Sequence, residues 1–222
     1  LFRSVPAAEL PTAIYGAAGV LAALRVWRLR GIGQDVEVAM HDAAFSMLTT
    51  FLSVTVAGGD PGRIGNNHPT MSPWNAYPAA DGWVLVCGGS NDMWRRICGV
   101  IGRTELVDHE RFRSATQRVQ NNAEVDAAVA AWTRQHSVAG CIASFGAAGI
   151  SVGPVNPVSA LSTDESLQYR GAVQRLRDPC TDRPIMLPGA LFHASGARAK
   201  APADIGRPDS GRVRIADIPA RH

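Results

Sequence analysis

Glu9 heads the stretch "ELPTAIYG", a carboxylate two residues ahead of Pro11 and a run of small apolar residues. A carboxylate in that position has two uses. It stabilises a following helix, whose N-terminus carries the positive end of the backbone dipole, by about 0.3–1 kcal/mol. Alternatively it is an oxygen nucleophile for covalent catalysis, kept ionised by the same dipole end. Residue type alone leaves both uses open. A second group of candidates lies in "GGDPGRIGNNHPTMSPWNAYPAADG", residues 58–82, with Asn66 and His68 near its middle. Its density of Gly, Pro and Asn is that of a linker or a functional loop.

Other chemistries find no support in the residue pattern. No Walker loop, GxSxG elbow or metal-ligand spacing is present, and "GVIG" and "GIGQ" are glycine punctuation rather than a dinucleotide fingerprint. Cys87, Cys98, Cys141 and Cys180 form no CxxC pair and have no histidine at ligand spacing, which argues against zinc and against any metal cofactor. Cys98 and Cys141 fall in helical patterns and Cys87 in a strand pattern, as reduced, buried thiols of a cytoplasmic protein do. The net charge is only +3, and the positive residues, all arginine apart from Lys200, are scattered, so nucleic acid is not an expected partner. The apolar run Ala13 to Leu24 falls short of the about 20 residues that span a bilayer, and no membrane association is expected. Nor does a signal-peptide pattern occur at the start.

The elements that must hold these residues read as α/β. Residues 12–30 have a helical pattern with Pro11 in the first turn, arginines at the end and Gly31 as the stop. Gly16, Gly19, Ala22 and Ala23 offer close approach to a neighbouring backbone. "QDVEVAM" alternates as a strand, and Asp42 starts a second helix over Ala43 to about Val56. A hairpin is predicted in "WNAYPAADGWVLVCGG" with its turn at Asp81-Gly82. Next comes a helix capped by Asn91 or Asp92, with Trp94, Ile97, Cys98 and Ile101 inward and Gly102 closing it. "NNAEVDAAVAAWTRQH" and "VAGCIASFGAAG" are two more helices, the second stopped by Gly149, and "ISVGPVN" a short buried strand or extended segment. "GAVQRLRDP" and "RPIMLPG" pair across Asp178 to Arg183. Trp74, Trp83, Trp94 and Trp132 are expected in the core or at an interface. From about Gly196 the Arg-, Pro- and Gly-rich tail is expected to be weakly ordered.

Three segments, read in order, resemble one family. "GVLAALRVWRLRGIGQDVEVAMHDAAF", "GRIGNNHPTMSPWNAYPAADGWVLVCGGSNDMWRRIC" and "GISVGPVNPVSALSTDESLQYRGAVQRL" are similar to successive stretches of the class III CoA-transferases, over roughly residues 9–195. The family includes carnitine, formyl- and succinyl-CoA transferases and α-methylacyl-CoA racemases. The resemblance implies a Rossmann-like large domain plus a smaller α/β domain, with two chains interlocked as a homodimer. On that template residues 1–60 end the first large-domain segment, 61–165 hold the linker and small domain, and 166–222 return to the large domain. The family's N-terminal half has no counterpart in these residues, so the rest of the fold would come from an upstream portion of the same chain or from a separate partner. Counting back from Gly19, the family's catalytic aspartate falls on Glu9, one methylene longer, and a family glycine falls on Ala13.

The resemblance also implies a chemistry. The aspartate attacks an acyl-CoA to give a mixed anhydride, the CoA thiolate then makes an enzyme-bound thioester, and an acceptor carboxylate follows the route backwards. Coenzyme A enters as the acyl-CoA substrate. Asn66 and His68 would border the acyl pocket, where His68 either bonds substrate or holds the loop. Asn91 and Asp92 match a family helix start at which racemases carry a glutamate. Two alternatives stand beside CoA transfer. One is a racemase or isomerase working by proton transfer at the α-carbon; the other is an inactive remnant with a structural role.

Overall fold

The structure, a computed structural model, describes residues 5–60, 62–189, 191, 193–195 and 197–198 of the 222-residue chain. It is mixed α/β, as the sequence implies. The chain divides into two compact units, one up to Gly153 and one from Pro154 on.

The first unit begins with α1 (Glu9–Arg30), then α2 (Met40–Ser46) and α3 (Thr49–Val56). α1 ends on Gly31 in the left-handed region (φ 70°), whose N–H reaches the Trp27 carbonyl at 2.8 Å. Only glycine adopts that conformation without strain. The less exposed face of α1 is its small-residue stripe. A Cβ on Gly19 would come within 2.8 Å of Val36 Cγ1, so the missing side chain is what lets residues 31–39 lie against the helix. Tyr15 and Ser46 hydroxyls, 3.0 Å apart, tie α1 to α2.

The large apolar residues of α1 point elsewhere: Leu21 and Leu29 are 68% and 69% exposed, and no residue of the helix is buried. At 22 residues the helix outruns the apolar run from Ala13 to Leu24. By length and composition it is the one helix among the described residues that could cross a membrane, a test that a core helix of a soluble protein also passes. Two other expectations are corrected here. "QDVEVAM" has no strand structure, because alternation alone does not make a strand and nothing among the described residues pairs with it. The helix expected from Ala43 to Val56 is two helices, interrupted at Met47 and Leu48.

β1 (Trp74–Pro78) and β2 (Trp83–Cys87) form the expected hairpin, in register Asn75↔Val86 and Tyr77↔Val84. The loop closes with Ala79 N–H on the Gly82 carbonyl, 2.8 Å. Asp81 in that loop accepts from Val138 N–H at 2.7 Å and so anchors a later helix. β3 (Ser151–Pro154) joins β2 to give the order β1-β2-β3, and it is part-exposed rather than buried.

Between β2 and β3 run α4 (Asn91–Val100), a 3-10 turn (Thr104–Leu106), α5 (Ala115–Gln120), α6 (Asn122–Thr133) and α7 (Val138–Ala147). Each of α4 and α7 starts on a serine whose Oγ accepts a backbone N–H three residues on: Ser90 from Met93 and Ser137 from Gly140. Ser90 thus takes the capping place expected of Asn91 or Asp92. Those two residues are occupied otherwise, Asn91 with Arg118 and Asp92 with Arg95 and Arg96.

The core lies where one face of the hairpin meets α4, α6 and α7. In β2, Val84 and Val86 are buried while Trp83 and Leu85 are exposed, the alternation of a sheet covered on one side. Trp94, Ile97 and Cys98 of α4, Val125 and Val129 of α6, and Cys141 and Phe145 of α7 complete it. Each large side chain so buried contributes about 1.5–3 kcal/mol. Of the five tryptophans, only Trp94 is fully enclosed. Burial raises the thiol pKa of Cys87, Cys98 and Cys141, that of Cys98 to about 12. Cys180 is exposed, and all four cysteines are free.

The second unit holds α8 (Val158–Leu161), α9 (Glu165–Tyr169), the hairpin β4 (Val173–Arg177) with β5 (Pro184–Pro188), and the short pair β6 (His193–Ala194) and β7 (Ala197–Arg198). The β4–β5 pairing across Asp178 to Arg183 is the one read from sequence. Apart from residues 197–198, the tail from Gly196 lies outside the described residues.

Candidate functional site

Glu9 is the first residue of α1, inside the first helical turn rather than ahead of it, and it is exposed. No side chain caps this helix end. A carboxylate there meets the positive end of a long dipole without competition from a capping oxygen.

The loop candidates are built differently. Gly65, with φ 63°, allows the tight turn that Asn67 N–H closes on the Ile64 carbonyl at 3.2 Å. Asn66 sits exposed in that turn. His68 Nδ1 accepts from Thr70 N–H at 3.2 Å, which puts the ring proton of the neutral imidazole on Nε2. The ring lies 5.2 Å from that of Trp74. His68 Nδ1 thus holds the loop, and in the neutral ring Nε2 carries the donor hydrogen.

Asn66, Asn67, His68 and Pro69 line a cavity of about 220 Å³ together with Met47, Thr50, Phe51 and Trp74. Ligand pockets for drug-sized molecules run to about 300–1,000 Å³, so this space suits a small group with an apolar part against Met47, Phe51 and Trp74. Asn66 and His68 are thus brought together, and Glu9 is not among the residues lining the cavity.

Behind the loop stands a set of residues that the sequence pattern did not single out. Asn75 Oδ1 accepts from Ala76 N–H at 2.8 Å, so its amide nitrogen must point the other way. Its two hydrogens go to Asn67 Oδ1 at 2.6 Å and Asp126 Oδ2 at 2.8 Å. The other oxygen of Asp126 accepts from the Tyr77 hydroxyl at 2.6 Å. Burial, and next the adjacent Asp126 carboxylate, push the Tyr77 phenol pKa well above its ordinary value. Asn122 and Thr133 lie on the same stripe of α6 as Asp126, four before and seven after it. Asn122 accepts from Ser72 Oγ, and Thr133 donates to the Pro78 carbonyl at 2.8 Å. The stripe runs the twelve residues of α6, about 16 Å of helix, and faces the chain from Ser72 to the end of β1 at Pro78, so the bonds run in sequence order along both. One signal was available: Asn75 and Tyr77 are polar residues on one face of a strand, and Asp126 interrupts an apolar helix pattern.

The model of CoA-transferase family III matches residues 2–212, a range that takes in Glu9, Asn66 and His68. The chain belongs to CoA-transferase family III. Among its relatives are a succinate–glutarate CoA-transferase of Agrobacterium fabrum, 28% identical over 75% of this chain and 42% of that protein, and a succinyl-CoA:mesaconate CoA-transferase of Haloarcula marismortui, 33% identical over 56% of this chain and 31% of that protein. A crystal structure of a CAIB/BAIF family protein from Brucella suis superposes with a TM-score of 0.70 at 25% identity, covering 90% of this chain and 52% of that one. This family III chain therefore spans at most about half the length of these relatives.

Proposed function

We propose that this chain is a portion of a family III CoA-transferase that moves CoA from an acyl-CoA to a carboxylic acid, with Glu9 as the covalent carboxylate and a further polypeptide segment or partner chain supplying the rest of the family's length. The observation that carries the reading is the family match over residues 2–212. The place of Glu9 in the first turn of α1, at the positive end of the helix dipole, supports the part given to it. The exposed apolar sides of α1 support the need for more protein, since a helix apolar all round is normally a buried one.

In this reading a Glu9 oxygen attacks the thioester carbonyl and expels CoA as the thiolate, leaving a mixed anhydride. The thiolate attacks the Glu9 carbonyl carbon, releasing the donor acid and forming a glutamyl-CoA thioester. The acceptor carboxylate attacks that thioester, the thiolate leaves again, and its attack on the acceptor acyl carbon yields the new acyl-CoA and free Glu9. His68 Nε2–H and the Asn66 amide are the donors for a carbonyl or carboxylate oxygen of the acyl group. The extra methylene of Glu9 demands a backbone or substrate set back to match, because a displacement of about 1 Å costs roughly 10²-fold in rate. The enzyme is read as a cytoplasmic, interlocked homodimer.

The test uses succinyl-CoA and glutarate, taken from the Agrobacterium relative. The chain with the remaining family length supplied is expected to form glutaryl-CoA. α-Proton exchange without CoA transfer would overturn the reading in favour of a racemase.

A further inference from the structure

We propose that Asp126 is a positioning residue for the substrate loop, acting through Asn75 and Asn67 on the turn that presents Asn66 and His68 to the cavity. The proposal of a substrate role rests on the transferase reading above; the mechanical link does not.

The link follows from hydrogen-bond bookkeeping. The Asn75 amide has one orientation, because its oxygen is taken by Ala76 N–H. Both hydrogens on its nitrogen then need acceptors, and they find Asn67 Oδ1 and Asp126 Oδ2. Asp126 must accept on both oxygens at once, one from Asn75 and one from the Tyr77 hydroxyl, with Asn122 Nδ2 adding a third donor at 3.4 Å. Removing the Asp126 side chain takes away the acceptor of the second Asn75 hydrogen. An asparagine at 126 would not, because its oxygen can face Asn75 while its nitrogen faces the Tyr77 oxygen, which accepts as well as donates. The α6 carboxylate thus decides where the Asn75 nitrogen sits, and that nitrogen holds the side chain of Asn67. Asn67 is also the residue whose N–H closes the Ile64 turn, and it precedes His68 directly. A loop with few apolar anchors is in this way referenced to the rigid helix and strand behind it.

The experiment compares Asp126→Ala with Asn67→Ala, the double variant and Tyr77→Phe. Amide hydrogen exchange at Asn67 and Thr70 reports the loop, and exchange at Val84 and Val86 reports the hairpin. Asp126→Ala is expected to speed exchange at Asn67 and Thr70 by about tenfold or more and to change Val84 and Val86 far less. Asn67→Ala, which alters only the far end of the relay, is expected to loosen Thr70 to the same degree. Tyr77→Phe keeps the Asp126–Asn75 bond and is expected to leave the loop as it is. In the succinyl-CoA and glutarate assay, with the remaining family length supplied, Asp126→Ala is expected to raise KM several-fold with kcat within about twofold. It should add nothing to Asn67→Ala, since the two act in one line. Unchanged loop exchange in Asp126→Ala, or effects that simply add in the double variant, would overturn the proposal. Loop exchange that responds as expected in a protein with no CoA transfer would leave the mechanical link standing and remove the transferase reading instead.

Discussion

Arg118 Nε donates to the carbonyl of Ser72 at 2.9 Å, joining two residues 46 apart in sequence inside the core of the first unit. The guanidinium is fully buried, and among the described residues no carboxylate forms an ion pair with it. Its other hydrogens go to the carbonyls of Phe112 and Gly89, each at 2.9 Å, and to Asn91 Oδ1 at 3.1 Å, while its face lies over the Trp94 ring. A flat fork with five donors fits four acceptors in this way, and an ammonium does not. Arg118→Met strands three buried carbonyls, those of Ser72, Phe112 and Gly89, and is expected to cost about 3 kcal/mol or more, read from urea denaturation. Arg118→Lys is expected to recover less than half of that. A loss below about 1 kcal/mol for Arg118→Met would show that these carbonyls find other partners.

The glycines of α1 separate by what surrounds them. A Cβ on Gly16 meets nothing within 4 Å, whereas one on Gly19 meets Val36 Cγ1 at 2.8 Å. Glycine inside a helix is less stable than alanine by roughly 0.5–1 kcal/mol. Gly16→Ala is therefore expected to raise the thermal midpoint by a few degrees. Gly19→Ala should give no gain or a loss, because the stiff valine must move. Equal gains at both positions would show that residues 31–39 do not lie against α1.

Stability should fall on the alkaline side. Burial raises the Cys98 thiol from 9.0 to about 12, and burial with Asp126 raises the Tyr77 phenol above its ordinary 10.0. A group whose pKa is higher in the folded state stabilises the fold fully below its unfolded pKa, and that contribution is lost as pH rises above it. The urea midpoint is thus expected to decline from about pH 9, more steeply above 10. Cys98→Ala should flatten the first part of the decline and Tyr77→Phe the second. A midpoint constant between pH 8 and 11 would contradict the burial of both groups.

What was legible in the sequence was what depends on near neighbours. The β1–β2 hairpin declares itself by the alternation around Val84 and Val86 and by its Asp81-Gly82 turn, and the helix stops at Gly31, Gly102 and Gly149 declare themselves by the φ they need. The segment at Val36 and Val38 misled because alternation reports a face and not a partner strand. The first turn of α4 misled by one residue because serine, asparagine and aspartate all cap, and Asn91 had been claimed by Arg118 from 27 residues away. The site divides along the same line. Glu9, Asn66 and His68 stood out through resemblance to a family, but Asn75 and Asp126, 51 residues apart, share a hydrogen bond that no local pattern announces.

The most direct test of the transferase account is mass spectrometry of the protein, with the remaining family length supplied, after incubation with succinyl-CoA. The account predicts a succinyl or CoA adduct on the peptide carrying Glu9, lost in Glu9→Gln together with CoA transfer to glutarate. An adduct on another residue, or full transfer by Glu9→Gln, would contradict it.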